Sequence, residues 1–252
     1  SDSIETGGYL FRTCFKDSYQ GEIAAKFAAE DLKVRKVAVL YGTGDPYSSG
    51  VGKAFVNAAK KAGLEVVAEE NSSSADDTEY SSQLQKVQAA GAEFLYAPYY
   101  YSAAGPYIIP QARAVGYNGY IMGPDGYDGL QITGSKARYD KVLYTTHYSP
   151  DDTSNKKVQK FITSYKKANG GASPNTFTAL GYDSVYMFKQ AIEKAGPNAS
   201  RADIRKAIYG MSFSGVTGKF TLDSHGSPKK SVIVLEMKNG KPTYRSTIEP
   251  AK

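Results

Sequence analysis

Three loops combine tyrosines, hydroxyl groups and a carboxylate, and each loop follows a short apolar segment. They are residues 47–49, 98–102 and 123–128. Ligands of open parallel sheets bind beyond the carboxyl ends of the strands, so we expect these loops on one rim. There, Asp125 could hold an ammonium group, while tyrosine hydroxyls complete its hydrogen bonds and tyrosine rings cover an apolar side chain.

The segment around Asp125 also has a simpler interpretation. Pro124-Asp125-Gly126 is a common turn sequence, and spacing alone does not separate a turn from an ammonium site. The composition favours a ligand, because the chain has 21 tyrosines and no tryptophan. Tyrosine offers a flat apolar face with a hydroxyl, which suits a small polar molecule. Both interpretations stay open at this point.

Motifs typical of catalysis are weak or missing. Gly42-x-Gly44 follows an apolar segment, but Tyr47 stands where a dinucleotide fingerprint has its third glycine. The sequence has no G-x-S-x-G elbow, no phosphate-binding loop and no histidine beside a nucleophile. We therefore predict no enzyme and no cofactor. An enzyme using NAD or transferring a sugar is kept as an alternative.

Cysteine and histidine give no support to a metal site. The one cysteine, Cys14, excludes intramolecular disulfides and is expected to be a buried small residue. His147 and His225 lie far apart in the sequence, which argues against a zinc site. For His147 we predict a structural, hydrogen-bonding role.

The overall composition is that of an ordinary globular protein. Hydrophobic residues make up 41% and charged residues 22% of the 252 residues. The net charge of +6 comes from scattered lysines, which indicates a solvated surface and no nucleic-acid partner. No apolar segment approaches the roughly 20 residues that span a bilayer. Residues 1–6 lack the features of a secretion signal, so we expect any signal to be removed or to lie outside this sequence.

Residues 9–146 alternate between strand and helix patterns. The predicted helices are residues 22–30, a segment ending at 60–63, residues 79–90, and residues 108–115 with Pro110 in the first turn or at a kink. The predicted strands are residues 37–41, 64–68, 94–97, 120–122 and 142–146. This alternation predicts a Rossmann-like α/β lobe with a doubly wound parallel sheet.

The remainder of the chain is mainly helical. One predicted helix carries Val158 and Phe161, a second covers residues 178–195, and a third begins after a capping box at Ser200. Strands are predicted at residues 218–222 and 231–235, with a turn at residues 238–240. Three such helices need a sheet to cover, and the sequence shows no obvious one.

Several segments resemble the periplasmic binding-protein family for leucine, isoleucine and valine. They occur in the family's order along nearly the whole chain. They are Gly8-Tyr9-Leu10-Phe11-Arg12-Thr13, Asp17-x-x-Gln20-Gly21, Val37-Ala38-Val39-Leu40-Tyr41, Tyr47-Ser48-Ser49-Gly50, Tyr99-Tyr100, Gln111-Ala112-Arg113, Gly123-Pro124-Asp125-Gly126, Ala179-Leu180-Gly181-Tyr182-Asp183 and Gly215-Val216-Thr217-Gly218.

The resemblance implies a two-lobed periplasmic binding protein fold of type I, whose α/β lobes close on a ligand between them. Residues 1–147 would form the second lobe, residues 148–222 the helical remainder of the first lobe, and residues 223–252 strands that return to the second lobe. The first lobe would then be incomplete. The family has about a hundred further residues before this point, including a helix N-terminus that takes the ligand's carboxylate. We expect a truncated or processed chain, or a partner chain that supplies the missing half.

The resemblance also implies which residues bind the ligand. Asp125 matches the acidic residue that holds the α-ammonium group of an amino acid. Tyr47 and Tyr100 match ligand-contacting tyrosines of the second lobe. Phe177 and Tyr182 occupy the region that supplies aromatic contacts from the first lobe.

The implied function is non-enzymatic capture of an amino acid for uptake. The chain would be the substrate-binding component of an ABC transporter and would deliver a branched-chain or other small amino acid to a membrane permease. It would lie outside the cytoplasm, in the periplasm or on the cell surface as a lipoprotein. The alternative is a ligand-sensing or regulatory domain of the same fold.

Overall fold

The computed structural model describes residues 4, 8–151 and 155–250. The expectation about a secretion signal concerns residues that, apart from Ile4, lie outside this part of the chain. Two compact units are present. The first contains Asp17–Thr146 and Val234–Ser246; the second contains His147–Ile233 and the described parts of Asp2–Lys16 and Thr247–Lys252. The assignment of the predicted ranges to two lobes stays a prediction.

The first unit alternates strands and helices, as predicted. Its helices are α1 Asp17–Glu30, α2 Pro46–Lys61, α3 Ser81–Ala89, the short α4 Tyr101–Ala103 and α5 Ile109–Ala114. Its strands are β1 Lys36–Gly42, β2 Glu65–Ser72, β3 Phe94–Tyr96, β4 Tyr120–Gly123 and β5 Val142–Thr146, followed later in the chain by most of β9 Val232–Lys238 and β10 Lys241–Ile248.

These strands form one seven-stranded sheet in the order β10-β9-β5-β4-β3-β1-β2. The pairs β1–β2, β1–β3, β3–β4 and β4–β5 are parallel. Every residue of β3 and β5 is buried, because helices cover both faces of such a sheet. The parallel arrangement places the ends of β1, β3 and β4, and the loops after them, at one edge.

Close packing of α1 on α2 depends on Gly21. A Cβ atom at Gly21 would lie 2.6 Å from Val51 O and 2.6 Å from Phe55 N of α2. Any side chain there would therefore push the helices apart. This packing is relevant to the site, since α1 and α2 each carry one of its residues.

Several predicted boundaries were wrong. Helix α1 begins at Asp17 rather than at residue 22, and α3 begins at Ser81 rather than at residue 79. Pro110 lies in the first turn of α5, as predicted, but a π-helical turn at Ala104–Ile108 precedes it. The turn at residues 238–240 is confirmed, because Asn239 and Gly240 both have positive φ, 51° and 73°. The strand that follows it, β10, was not predicted from the sequence pattern, although the resemblance implied return strands within residues 223–252.

The second unit contains α6 Lys156–Ala168, α7 Thr176–Ala195 and α8 Arg201–Tyr209. The predicted capping box is present, with Ser200 at the N-cap of α8 and Asp203 as its partner. The expectation that these helices lack a sheet was wrong in part, because β6 Phe213–Gly215, β7 Gly218–Leu222 and β8 Pro228–Lys229 form a small antiparallel sheet.

That sheet covers one side of α7 and α8. Phe213 and Phe220 from the sheet pack with Met187, Ala191 and Ile208 from the helices. Other apolar side chains of α7 stay exposed: Phe177, Val185, Tyr186, Phe188 and Ile192. Within the described ranges, the structure shows no helix with the length and apolar character needed to cross a bilayer.

Candidate functional site

Asp125 lies in a single 3-10 turn, Asp125–Tyr127, directly after β4. The residue is only 7% exposed. The Tyr47 hydroxyl donates a hydrogen bond of 2.8 Å to Asp125 Oδ1. Tyr47 is held in the first turn of α2, where its backbone N–H donates to the N-cap side chain of Asp45. The loops after β1 and β4 therefore meet at the Asp125 carboxylate.

Gln20 is a second partner of Asp125 and was not predicted as a site residue. Its Nε2 donates to Asp125 Oδ1 at 2.9 Å, and its Oε1 accepts from the Asp125 backbone N–H at 2.8 Å. The same Oε1 accepts from the Thr145 hydroxyl at 2.8 Å. Gln20 belongs to the Asp17-x-x-Gln20-Gly21 motif, which was the available signal, but the motif by itself assigns it no role.

Tyr100 packs against Tyr47. Their ring centroids are 5.2 Å apart with an interplanar angle of 23°, a stacked arrangement. Tyr100 is 36% exposed. The predicted pair Tyr47 and Tyr100 thus forms one aromatic surface beside Asp125.

The turn predicted within residues 123–128 is present at Asp125–Tyr127, and the ammonium site predicted there stays a prediction. The Gly126 N–H donates to the Tyr47 hydroxyl at 3.2 Å. A Cβ atom at Gly126 would lie 2.8 Å from Tyr99 O and 3.1 Å from that hydroxyl. The glycine lets the turn approach Tyr47 closely, and this approach brings Asp125 into contact with it.

The serines of the first loop form hydrogen bonds with nearby backbone groups. Ser48 is fully buried and accepts the Gly42 N–H at 2.8 Å. Ser49 donates to the Asp45 backbone carbonyl at 2.8 Å. In the second loop, the Tyr99 hydroxyl is buried and lies 2.8 Å from Ser72 Oγ. These groups shape the rim, whereas Tyr47 and Asp125 contact each other directly.

Burial keeps the tyrosines of the rim protonated. Burial and then the charge of Asp125 raise the pKa of Tyr47 well above its ordinary value. The same two causes raise the pKa of Tyr96, which is fully buried in β3. Burial, followed by the charge of Asp45, raises the pKa of Tyr100. Near neutral pH, the Tyr47 hydroxyl is therefore a donor and adds no negative charge to that of Asp125.

Phe177 and Tyr182 lie in the second unit, on α7. Phe177 is 49% exposed. Tyr182 packs on Phe161 at 4.8 Å and on Tyr186 at 4.5 Å between ring centroids. A hydrogen bond with Tyr186 and, next, burial raise the pKa of Tyr182 to about 12. The ligand contacts predicted for Phe177 and Tyr182 stay predictions.

The remaining reactive side chains are those of His147 and Cys14, and the contacts described for His147 are structural. His147 is buried and stacks on Phe15 with 3.7 Å between ring centroids. Its backbone N–H donates to the Thr176 hydroxyl at 3.2 Å. Cys14 is partly buried, whereas a buried residue was predicted.

The chain is similar to known proteins along most of its length. Residues 2–242 match the family model described as periplasmic binding protein. A Pseudomonas aeruginosa leucine-, isoleucine-, valine-, threonine- and alanine-binding protein is 29% identical over 230 residues, which cover 90% of this chain and 60% of that protein. The chain therefore spans about 60% of the length of that curated relative.

Two solved structures are also similar. A leucine-binding protein from Thermotoga maritima superposes with a TM-score of 0.86 at 32% identity, covering 99% of this chain and 71% of the other. The second is the branched-chain amino acid transporter substrate-binding protein of Streptococcus pneumoniae in complex with isoleucine. It has a TM-score of 0.84 at 29% identity, covering 96% of this chain and 68% of the other. These likenesses confirm the predicted α/β fold of type I. The chain belongs to the periplasmic binding protein family.

Proposed function

We propose that the protein binds a free amino acid, with the ligand's ammonium group at Asp125, as the substrate-binding component of an ABC transporter. The observation that carries the proposal is the carboxylate itself, which is almost completely buried and receives hydrogen bonds from Gln20 and Tyr47. Both of these donors are neutral, so neither hydrogen bond adds a positive charge beside the carboxylate. A cationic group is the natural ligand of such a carboxylate.

The stacked tyrosines supply the apolar part of the proposed site. Tyr47 and Tyr100 present aromatic rings next to Asp125, and Tyr100 is exposed enough to cover a ligand. The carboxylate can bind the ammonium group of a small apolar amino acid, and the aromatic rings can contact its aliphatic side chain.

The names of the relatives support the same ligand class. The Pseudomonas relative is named for leucine, isoleucine, valine, threonine and alanine, and the Streptococcus structure contains isoleucine. These amino acids share the ammonium and carboxylate groups and have small side chains. We propose that this protein binds a ligand from that set.

The proposed partner is a membrane permease, to which the protein delivers its ligand unchanged. The relatives named above are binding proteins, and one is described as part of a branched-chain amino acid transporter. Delivery from such a protein to a permease requires a location outside the cytoplasm, either in the periplasm or on the cell surface as a lipoprotein.

Calorimetry on the protein as its cell produces it tests the proposal. We expect one of the five amino acids to bind, and Asp125→Ala to weaken that binding at least tenfold, about 1.4 kcal/mol, because the ammonium group loses its counter-charge. Asp31→Ala, a change at an exposed aspartate after α1, is the matched control and should leave affinity unchanged. Equal affinities of Asp125→Ala and the unsubstituted protein would remove Asp125 from the site, and no binding of any of the five would overturn the proposed function.

A further inference from the structure

Gln20 contacts Asp125 at two points and Thr145 at a third. Its amide oxygen accepts from the Asp125 backbone N–H and the Thr145 hydroxyl, and its amide nitrogen donates to the Asp125 carboxylate. Gln20, Asp125 and Thr145 are all buried. One side chain therefore joins α1, the turn after β4 and strand β5 at the proposed ammonium site.

The orientation of the Gln20 amide follows from its partners. The Asp125 backbone N–H is always a donor, so the group 2.8 Å from it must be the amide oxygen. The amide nitrogen is then directed to Asp125 Oδ1, 2.9 Å away. No other neutral side chain of this length offers an acceptor and a donor in this arrangement. Glutamate would replace the donor with a second carboxylate oxygen, and methionine would remove both functions.

The position of the carboxylate depends on two donors to one oxygen. Gln20 Nε2 and the Tyr47 hydroxyl both donate to Asp125 Oδ1, at 2.9 and 2.8 Å. Two bonds to one oxygen from different elements fix both the location and the rotation of the carboxylate plane. Both donors are neutral, so neither adds a positive charge beside the carboxylate.

We infer that Gln20 is a positioning residue that orients the Asp125 carboxylate toward the ligand's ammonium group and thereby sets the preference for amino acids. The inference rests on the proposed function for its ligand. It concerns a residue that contacts Asp125 and acts through it.

The first test compares two ligands that differ only in the group that faces Asp125. L-Leucine and its α-hydroxy acid analogue share the side chain and the carboxylate, but the analogue lacks the ammonium group. We expect Gln20→Met to weaken leucine binding about tenfold or more and to leave binding of the analogue nearly unchanged. An equal loss for both ligands would show a general structural role and overturn the inference.

A double substitution and a matched control sharpen this test. In an Asp125→Ala background, Gln20→Met should cause no further loss of leucine affinity, since Gln20 acts through the carboxylate. Gln111→Met is the control, because Gln111 also bridges chain segments, accepting from Tyr80 N at 2.7 Å and donating to Thr78 O at 2.8 Å. It should leave the ratio of the two affinities unchanged.

The second test needs no ligand. The carboxyl carbon of Asp125 is followed by NMR as the pH is changed in the ligand-free protein. A hydrogen bond to a carboxylate favours its charged form, so Gln20→Met should raise the pKa of Asp125. Gln20→Glu keeps the side-chain shape and should raise it as well, through repulsion between two carboxylates.

The two tests separate the inference from the proposed function. If Asp125 titrates identically in all three proteins, Gln20 does not control the carboxylate and the inference fails, whatever the protein binds. If the titration shifts as expected but no amino acid binds, the proposed function fails, and with it the ligand assigned to the oriented carboxylate.

Discussion

Asp125 illustrates how neutral hydrogen-bond donors can compensate for the burial of a charge. Burial of an ionised carboxylate is costly unless hydrogen bonds compensate for the lost water. Gln20 and Tyr47 provide such bonds through groups that carry no charge. A lysine or arginine in their place would compensate more strongly but would also neutralise the site.

The tyrosines near Asp125 differ in whether their hydroxyls have partners. The Tyr47 hydroxyl bonds to Asp125, whereas the Tyr96 hydroxyl is fully buried and has no hydrogen-bond partner among the described residues. A buried polar group without a partner destabilises the folded state. We expect Tyr96→Phe to raise the free energy of unfolding by about 1 kcal/mol and Tyr47→Phe to lower it by a similar amount.

Urea denaturation of the two variants in parallel measures this difference. The two substitutions remove the same atom, so transfer and packing effects largely cancel. Destabilisation by Tyr96→Phe equal to that by Tyr47→Phe would mean that the Tyr96 hydroxyl has a bonding partner, and the prediction would be wrong.

At the residue scale, the sequence predicted part of the site. The loops carrying Tyr47, Tyr100 and Asp125 follow strands, and general rules for parallel sheets place such loops together. Gln20 and Thr145 were missed because their contacts are distant in sequence. Gln20 is 105 residues from Asp125 and 125 residues from Thr145. Local sequence patterns carry no information about such pairs, because these contacts exist only after the helix and the strands have packed together.

At the element scale, burial decided which elements could be predicted. Strands β1 and β5 are buried along nearly their whole length, and each appears in the sequence as a continuous apolar run. The edge strand β10 is mostly exposed, so Lys241–Ile248 has no such signal. The two-residue strand β8 is too short to form any pattern. Of the small sheet in the second unit, β7 was predicted at residues 218–222, but the short strands β6 and β8 that pair with it were not.

Helix α7 provides a test of packing within one element. Met187 is 2% exposed and belongs to the core formed with α8 and the small sheet, whereas Ile192 on the same helix is 48% exposed. We expect Met187→Ala to lower the free energy of unfolding by about 2–5 kcal/mol, because it leaves a cavity. Ile192→Ala should change it by less than about 0.5 kcal/mol.

Each change truncates a large apolar side chain to alanine in the same helix, so helix propensity differs little between them. Circular dichroism during denaturation reports the loss of the helices. A cost for Ile192→Ala as large as that for Met187→Ala would contradict the packing described for α7.

At the scale of the whole molecule, the order of motifs carried more information than any single motif. The turn around Asp125, the Tyr47 loop and the Gln20 motif are each common on their own. Their order along the chain indicated the family, and the family model matching residues 2–242 confirmed it. The alternation predicted a parallel sheet, whereas the order of its strands became known only from the structure.

The many buried tyrosines predict how stability of the first unit depends on pH. Burial is the largest cause raising the pKa of Tyr47, Tyr96, Tyr99, Tyr117 and Tyr127. In the unfolded chain these phenols titrate near their ordinary value of about 10. Above that pH the unfolded state binds fewer protons than the folded state, so the free energy of unfolding falls as pH rises.

The stabilising contribution of these tyrosines is complete below about pH 10 and is lost progressively above it. We therefore expect a nearly constant tyrosine contribution between about pH 7 and 9 and a steep loss of stability between about pH 10 and 12. Urea denaturation at a series of pH values measures the loss, and tyrosinate absorbance shows whether buried phenols ionise as the protein unfolds. Stability that is independent of pH through this alkaline range would contradict the burial of these hydroxyls. Tyr96→Phe should make the decline shallower, because it removes one of the phenols that can ionise only after unfolding.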